Sequence, residues 1–235
     1  MPKSKQTLLE KFYNEEEEKL EIGIDEAGRG PLFGRVYSAA VILPKDDINF
    51  EYHLLKDSKK FSSEKKINEV SDYIKENSIA WSVSWINEDE IDQINIRQSV
   101  LKSMHNNIKQ LLGTDCSNCH YKSHESIFTN DVFLLVDGND FRPFMQYKND
   151  MLLPIQHKCI EGGDNKYCSI AAASIIAKTE RDKYIKKLCE ENEFLKEKYG
   201  IEKNKGYGTK QHLDGIKEHG ISKWHRKTYG ICKQY

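Results

Sequence analysis

Carboxylates follow apolar or glycine-rich stretches at three points of the sequence. Asp25 and Glu26 end one apolar run, Asp137 ends another, and Asp164 follows a pair of glycines. In open α/β sheets ligands bind beyond the carboxyl ends of the strands, so acids in these places can share one site. Together they could surround two Mg²⁺ or Mn²⁺ ions, an arrangement that promotes in-line attack on a phosphodiester. The plainer alternative is solvated acids at a strand end, with Asp164 acting as a helix cap or turn residue.

Two flanking motifs carry groups suited to nucleic-acid contacts. Gly28-Arg29-Gly30 follows the first acids, and glycines there would let backbone amides approach a ligand while the arginine binds a phosphate. Tyr207 stands between two glycines and could stack on a sugar or a base. The alternatives are a tight turn with Arg29 in solvent and a loop with a half-buried tyrosine.

Hydrophobic periodicity predicts the elements that carry these residues. Strands are predicted at Leu20–Asp25, Tyr37–Leu43, Ala80–Ile86, Val132–Val136 and Ile155–Cys159. Helices are predicted from a cap at Ser62 to about Asn77, over Glu88–Leu112, and from Cys168 to about Tyr199. Strands come first and helices are interleaved later, which indicates an α/β sheet with mixed strand directions.

Composition bounds the class of protein. The chain has 235 residues, 38% of them hydrophobic, and a formal net charge of -1, so no global positive field favours nucleic acid. The segment Lys198–Lys233 has nine Lys or Arg against three acids, which indicates a local phosphate-facing patch unless it is a solvated surface. No signal peptide or membrane-length apolar run is found, so we expect a soluble, intracellular (cytoplasmic) protein whose six cysteines are free thiols.

The polar segment 113–130 contains four residues that could bind zinc. Cys116, Cys119, His120 and His124 have a Cys-x-x-Cys-His-x-x-x-His spacing. All four lie within about ten residues and no second Cys-x-x-Cys supports them. A mobile polar insertion is therefore the favoured interpretation over a zinc site.

The motifs, taken together, resemble the ribonuclease HII family. The matching stretches occur in that family's order and cover nearly the whole chain, from about Leu20 to Arg226. They are Gly23–Pro31, Asp57–Lys59, Val136–Gly138, Gly163-Asp164, Ser169–Lys178, Arg181-Asp182, Asn204–Thr209 and His225-Arg226.

The resemblance implies a ribonuclease H-like fold, with a five-stranded mixed sheet flanked by helices and a helical C-terminal region. It implies hydrolysis of RNA in RNA–DNA hybrids and incision at ribonucleotides embedded in duplex DNA, with roles in ribonucleotide removal and primer processing. The family's four catalytic, metal-binding carboxylates correspond to Asp25, Glu26, Asp137 and Asp164. The residues that read the 2′-hydroxyl at the RNA–DNA junction correspond to Gly28, Arg29, Gly30 and Tyr207.

Further residues are candidates for contacts with the duplex backbone, although a helical lysine can equally be solvated. These are Lys59, Lys178, Arg181 and Lys205. Glu180 and Asp182 are expected to form ion pairs on the helix beside Arg181.

Three features depart from the family pattern. Gly34-Arg35 stands where the family often has Gly-Pro, and Gly162 replaces a lysine often found two residues before the aspartate. The missing lysine puts one phosphate or metal-tuning contact in doubt. The segment 113–130 is longer than the usual link into the strand of Asp137.

We expect one catalytic domain over 1–235, with an N-terminal extension (1–19), the polar insertion (113–130) and the basic C-terminal region (200–235). The expected partners are RNA–DNA hybrids and ribonucleotide-containing DNA, with no membrane, no obligate protein partner and no clamp-binding tail; a monomer is expected. Two alternatives stay open: a ribonuclease HIII-like enzyme without junction specificity, and a non-catalytic module that binds hybrid duplexes. The four acids argue against a pure binder, since anions facing phosphate would weaken binding.

Overall fold

A computed structural model describes the backbone of residues 8–13, 19–45, 47–113, 120–121, 131–148 and 150–235. Across these ranges no helix is both long and apolar enough to cross a membrane. Of the four residues of the zinc hypothesis, Cys116, Cys119 and His124 lie outside the described residues and His120 is described by its backbone alone. The cysteines with described side chains are free thiols: Cys159, Cys168, Cys189 and Cys232.

A mixed sheet forms the centre of the fold, with strand order β4-β3-β2-β1-β5-β8. The five longer strands agree with the expected five-stranded sheet, and the two-residue β4 adds an edge. The strand bounds are Leu20–Ala27 (β1), Val36–Ile42 (β2), Ala80–Ile86 (β3), His120–Tyr121 (β4), Val132–Asp137 (β5) and His157–Ile160 (β8). A separate hairpin, which the sequence analysis missed, consists of Met145–Lys148 (β6) and Met151–Pro154 (β7).

Strand direction brings the acidic strand ends to one edge. β1 runs antiparallel to β2 but parallel to β5, with Ile24 opposite Val136. β5 in turn runs parallel to β8. The residues that follow Ile24 and Val136 are Asp25 and Asp137, so both carboxylates stand side by side where their strands end.

Helices cover both faces of the sheet. The helix bounds are Glu64–Asn77 (α1), Glu88–Leu111 (α2), Cys168–Glu191 (α3), Phe194–Tyr199 (α4), Ile201–Asn204 (α5) and Lys210–His219 (α6). Alternate β1 residues such as Ile22 and Ile24 pack against α2 in one core cluster. The opposite face packs against α1 and α3 in a second cluster, and α4–α6 enclose a third around Phe33.

Two predicted helix boundaries are corrected. The cap of α1 is Ser63 rather than Ser62, because the Ser63 side chain accepts a hydrogen bond from the backbone N–H of Lys66. The long helix from Cys168 does not continue to Tyr199: it ends at Glu191 and α4 begins at Phe194. Helical spacing persists across this break, so periodicity alone did not reveal it.

Gly23 allows the first turn of α3 to lie directly on β1. A Cβ atom at this position would come within 2.1 Å of the Ser169 carbonyl carbon. The same contact region contains the buried Glu21, whose carboxylate accepts hydrogen bonds from the Ser169 hydroxyl (2.8 Å) and the Tyr13 backbone N–H (2.8 Å). The close approach fixes α3, and with it the residues of α3 that face the strand ends.

Candidate active site

The four predicted acids meet in one cleft of about 650 Å³. Asp25 and Glu26 come from the end of β1 and Asp137 from the end of β5. Asp164 comes from a 3₁₀ turn, Gly163–Asn165, just before α3. Three separate elements therefore deliver the acids to the edge of the sheet at which ligands bind in α/β folds.

Asp25 is the most enclosed of the four, with only 4% of its surface exposed. It accepts hydrogen bonds from the Ser174 side chain on α3 and from the Glu26 backbone N–H (2.7 Å). Burial, followed by repulsion from Glu26 and Asp137, raises the pKa of Asp25 well above its ordinary value. The site thus strongly disfavours this carboxylate's charge until a cation is present.

Glu26 faces the cleft beside Arg29. An Arg29 guanidinium nitrogen lies 3.5 Å from a Glu26 carboxylate oxygen. Burial still raises the pKa of Glu26, because the attraction of Arg29 only partly offsets desolvation and repulsion from Asp137.

Asp137 and Asp164 lie on either side of Gly163. The Gly163 backbone N–H donates to Asp137 Oδ1 at 2.7 Å, which orients that carboxylate. Burial, with repulsion from Asp57 and Asp137, raises the pKa of Asp164. The Asn165 side chain donates to Asp164 Oδ1 (3.1 Å) and to Asp57 Oδ2 (3.2 Å), so it joins these two acids.

The donor set fits hard divalent cations. It consists of carboxylate oxygens whose mutual repulsion is only partly offset by Arg29, and oxygen ligands are those that Mg²⁺ and Mn²⁺ prefer. Among the residues that the structure describes, no three acids, histidines or cysteines already surround one common point. Side-chain adjustment or bridging water would therefore complete the coordination of an ion.

The Gly28–Pro31 loop is bonded by one buried arginine, Arg226, and passes closely over a second, Arg181. Arg226 is fully buried and donates hydrogen bonds to the carbonyls of Gly28 (2.7 Å) and Pro31 (2.8 Å). Gly28 has a φ of +89°, and a Cβ atom there would come within 2.1 Å of Arg181 Nε. Only glycine allows the loop to pass this closely over an arginine side chain.

Tyr207 lies on the other side of the cleft with half of its surface (51%) exposed. A Cβ atom on Gly30 would be 3.7 Å from Tyr207 Cε1, so the ring stands directly beside the Gly-Arg-Gly loop. The structure therefore brings together all four residues predicted to read a 2′-hydroxyl.

The four cationic residues predicted to contact the duplex backbone differ in their positions. Lys59, Lys178 and Lys205 line the cleft, although Lys178 also pairs with Asp182 at 2.9 Å. Arg181 is a correction: only 3% of its surface is exposed, and its guanidinium donates to the carbonyls of Arg35, Phe33 and Lys205. It braces the two loops instead of reaching a duplex.

Glu180 and Asp182 do form ion pairs, but not with Arg181. Glu180 pairs with Lys75 at 2.5 Å and with Lys183 at 3.2 Å, and Asp182 pairs with Lys178. The helix therefore places its acids beside lysines and leaves Arg181 free to bond with backbone carbonyls.

Comparison with known proteins decides the family. A sequence model of the family described as Ribonuclease HII matches residues 22–231. The chain belongs to the ribonuclease HII family. It is a ribonuclease H, an endonuclease, in keeping with the resemblance of its motifs.

Individual relatives agree over most of the chain. Ribonuclease HII from Bacteroides thetaiotaomicron is 41% identical over 212 residues, which covers 90% of either chain. The crystal structure of ribonuclease H2 from Pyrococcus horikoshii OT3 has a TM-score of 0.65 at 22% identity and covers 92% of this chain and 96% of that chain. Bst-RNase HIII in complex with Mn²⁺ has a TM-score of 0.55 at 16% identity, covering 86% of this chain and 70% of its own. These structures share the ribonuclease H-like α/β fold.

Several residues of the cleft were missed or left without a role by the sequence analysis. Ser174 hydrogen-bonds Asp25, Asn165 joins Asp57 to Asp164, and Lys203 adds a cation to the lining. Asn165 follows Asp164 directly, so adjacency could have suggested it. Ser174 lies ten residues after Asp164, and its contact with Asp25 could be recognised only from the position of α3 in the structure.

A buried histidine pair gives a prediction for stability. His225 is 1% exposed, and burial followed by repulsion from His212 lowers its pKa to about 3; burial also lowers the pKa of His212. Below about pH 6.5 the two histidines are protonated in the unfolded chain but stay neutral in the folded chain. The free energy of unfolding therefore has its full contribution from these histidines above that pH and decreases as the pH falls. We expect His225 to contribute a loss of about 1.4 kcal/mol per pH unit between about 6.5 and 3.

Urea denaturation between pH 5 and 7 measures this slope. His225→Gln should flatten it, whereas the exposed His219→Gln should leave it as in the wild type. The cleft carboxylates with raised pKa values shift stability in the opposite direction, but equally in all three proteins. Equal slopes in the His225→Gln and His219→Gln variants would contradict the prediction.

Proposed function

We propose that this ribonuclease H hydrolyses the RNA strand of RNA–DNA hybrids and also incises duplex DNA at embedded ribonucleotides, using two divalent ions. The observation that carries the proposal is the meeting of four acids in one cleft with a Gly-Arg-Gly loop and an exposed tyrosine. We assign this activity to a single catalytic domain over 1–235 that acts as a monomer in ribonucleotide removal and primer processing.

The ions would be held by Asp25, Glu26, Asp137 and Asp164. Mg²⁺ and Mn²⁺ both suit this oxygen donor set, and Mn²⁺ is the ion bound in the Bst-RNase HIII structure. When bound, the ions supply activation of a water molecule and stabilisation of the leaving 3′-oxygen, which gives 5′-phosphate and 3′-hydroxyl ends. Burial, and after it repulsion between the acids, raises the pKa values of Asp25, Glu26 and Asp164, and a bound cation would offset both effects.

The protein's own groups orient the substrate. Backbone groups of Gly28 and Gly30 can approach a ribose closely, and Arg29, whose side chain is 55% exposed, can bind a phosphate. The Tyr207 ring can stack on the neighbouring sugar. Because the 2′-hydroxyl distinguishes RNA from DNA at a given position, contacts to it would select the ribonucleotide.

Metal binding should stabilise the protein independently of activity. We expect Mg²⁺ or Mn²⁺ to raise the melting temperature of metal-free protein, because each ion binds only where the carboxylates are assembled. At 100 times its dissociation constant an ion contributes about 2.7 kcal/mol. Differential scanning calorimetry with and without EDTA measures the effect, and an unchanged melting temperature across millimolar Mg²⁺ and Mn²⁺ would contradict the metal assignment.

Cleavage of two substrates tests the function. Metal-free protein should leave both a long RNA–DNA hybrid and a duplex with one ribonucleotide intact, and added Mg²⁺ or Mn²⁺ should restore cutting of both with 5′-phosphate ends. Cutting of the hybrid alone would indicate the ribonuclease HIII-like alternative. Binding without cutting at any metal concentration would indicate the non-catalytic module.

Tyr207→Ala should reduce incision at a single ribonucleotide more than cleavage of a uniform hybrid. Loss of one stacking contact of about 1–3 kcal/mol corresponds to a factor of about 5–150 in kcat/KM. Tyr235→Ala is the matched control, because Tyr235 is equally exposed (52%) but lies outside the cleft. If Tyr207→Ala and Tyr235→Ala give the same ratio of the two activities, Tyr207 does not read the junction.

A further inference from the structure

The segment Trp224–Arg226 lies directly against the end of the Gly-Arg-Gly loop. Phe33 and His225 form an antiparallel bridge, flanked by hydrogen bonds from the Arg226 N–H to the Leu32 carbonyl (2.8 Å) and from the Gly34 N–H to the Trp224 carbonyl (2.9 Å). Phe33, His225 and Arg226 are all buried, with at most 1% exposure. This stretch therefore forms the floor on which the loop rests.

Arg226 holds the Gly-Arg-Gly loop, which is one of the two groups proposed to read the RNA–DNA junction. Its guanidinium donates to the carbonyls of Gly28 (2.7 Å), Arg29 (3.1 Å), Pro31 (2.8 Å) and Gly34 (2.9 Å). One planar side chain thus fixes the backbone of the whole loop from beneath.

His225 is linked through His212 to Tyr207, the second of these groups. The Ser222 backbone N–H donates to His225 Nδ1 (2.9 Å), so the neutral His225 ring carries its proton on Nε2. That proton is donated to His212 Nε2 (3.0 Å), which leaves the His212 proton on Nδ1. His212 Nδ1 then donates to the Tyr207 carbonyl at 2.9 Å. The Ser222 hydroxyl lies 2.8 Å from the same Nδ1 of His225 and can also donate to it. The chain of bonds ends on Tyr207.

We propose that the adjacent residues His225 and Arg226 are positioning residues that set the separation between the Gly28–Gly30 backbone and the Tyr207 ring, and so determine selectivity for the RNA–DNA junction. The inference rests on the proposed function, in which these two groups read the 2′-hydroxyl. The two loops are almost in contact at Gly30 and Tyr207, and small displacements of positioning groups can have large effects on rate. The hydrogen bonds of Arg226 and His212 end on backbone carbonyls of the two loops and not on the four acids, so we expect them to affect recognition more than metal binding.

Two substitutions at His212 separate its two hydrogen bonds. The Asn amide nitrogen, bonded to Cγ, occupies the place of Nδ1 and can still donate to the Tyr207 carbonyl. The Gln amide reaches the place of Nε2 and keeps the bond to His225 while the bond to Tyr207 is lost. Both remove a buried ring and one of the two hydrogen bonds, so a lower value in the Gln variant than in the Asn variant reports the bond to Tyr207 and not the loss of packing.

The readout is the ratio of kcat/KM for a duplex with one ribonucleotide to kcat/KM for a uniform hybrid. His212→Gln should lower this ratio by about three- to tenfold, the worth of one hydrogen bond, and His212→Asn should lower it less. Equal ratios in the wild type and in a folded His212→Gln variant would overturn the inference. Tyr207→Ala separates this failure from failure of the proposed function: if Tyr207→Ala also leaves the ratio unchanged, Tyr207 does not read the junction and both ideas fall.

A measurement on the wild type keeps the test independent of variant stability. Nitrogen-15 NMR of the histidine rings should show a neutral Nδ1–H tautomer for His212 and a neutral Nε2–H tautomer for His225 at pH 7. Observation of the opposite tautomer at either residue would overturn the inference, because the bond to the Tyr207 carbonyl would then be absent.

Discussion

Asp137→Asn should reduce cleavage of an RNA–DNA hybrid by about 10³-fold or more, because several kcal/mol of transition-state stabilisation depend on the ions that this carboxylate would hold. The fold should survive, since the Asn carbonyl can still accept the hydrogen bond from the Gly163 N–H. Burial is the largest cause of the raised pKa values of Asp25 and Asp164, and removal of one anion relieves the part that comes from repulsion by Asp137. The metal-free variant should therefore melt at the same temperature as metal-free wild type or higher.

Asp131→Asn, at the opposite end of β5, provides the matched control. Asp131 lies just before the start of β5 and pairs with Lys148 in solvent at 2.6 Å, far from the strand end that carries Asp137. The Asp131→Asn variant should retain wild-type cleavage and the wild-type increase in melting temperature with Mg²⁺. Substantial hybrid cleavage by purified Asp137→Asn, verified by mass spectrometry, would remove Asp137 from the metal site.

Arg226→Met should lower the free energy of unfolding by about 2–4 kcal/mol, because four carbonyl oxygens lose their charged donor together. Burial of the guanidinium has its own cost, which lowers the pKa of Arg226 to about 10, and methionine removes that cost. The Arg29 carbonyl keeps the Tyr229 hydroxyl as a donor (3.1 Å), but the carbonyls of Gly28, Pro31 and Gly34 lose the guanidinium, and this loss outweighs the gain. Urea denaturation at pH 7 measures the difference.

Lys227→Met tests whether loss of any neighbouring cation has the same effect. Lys227 is exposed and adjacent in sequence, so its replacement should change stability by less than about 0.5 kcal/mol. Arg226→Lys should recover only part of the loss, because a single ammonium group cannot match the planar fork of the guanidinium. An Arg226→Met variant as stable as wild type would show that the loop does not depend on this side chain.

The sequence predicted the sheet and its acidic edge because both depend on local patterns. Apolar runs that end in Asp25 and Asp137 indicate buried strands and the position of their ends. It did not predict that Arg181 is buried, because helical periodicity cannot tell which charged residue of α3 faces the Phe33 and Lys205 carbonyls. Such a contact joins residues far apart in the chain.

The pattern of burial on β3 shows a second limit of prediction from the sequence. Small polar and large apolar residues alternate along Ala80–Ile86, the pattern of a half-buried strand, but the buried face is the one with Ser82 and Ser84, whereas Trp85 is 44% exposed. Ser82 donates to the Asn107 carbonyl of α2, and on the neighbouring β2 the Ser38 hydroxyl contacts Ser103 of α2, so α2 satisfies these two buried hydroxyls. Hydrophobicity alone favours the opposite face.

Incision at a single ribonucleotide tests the central claim most directly. An end-labelled DNA duplex with one ribonucleotide is incubated with EDTA-dialysed protein, first alone and then with Mg²⁺ or Mn²⁺, next to an all-DNA duplex of the same sequence. We expect one metal-dependent cut at the ribonucleotide, with 3′-hydroxyl and 5′-phosphate ends, and no cut in the all-DNA duplex. An intact ribonucleotide duplex under conditions in which the same protein cuts a long RNA–DNA hybrid would contradict the central claim.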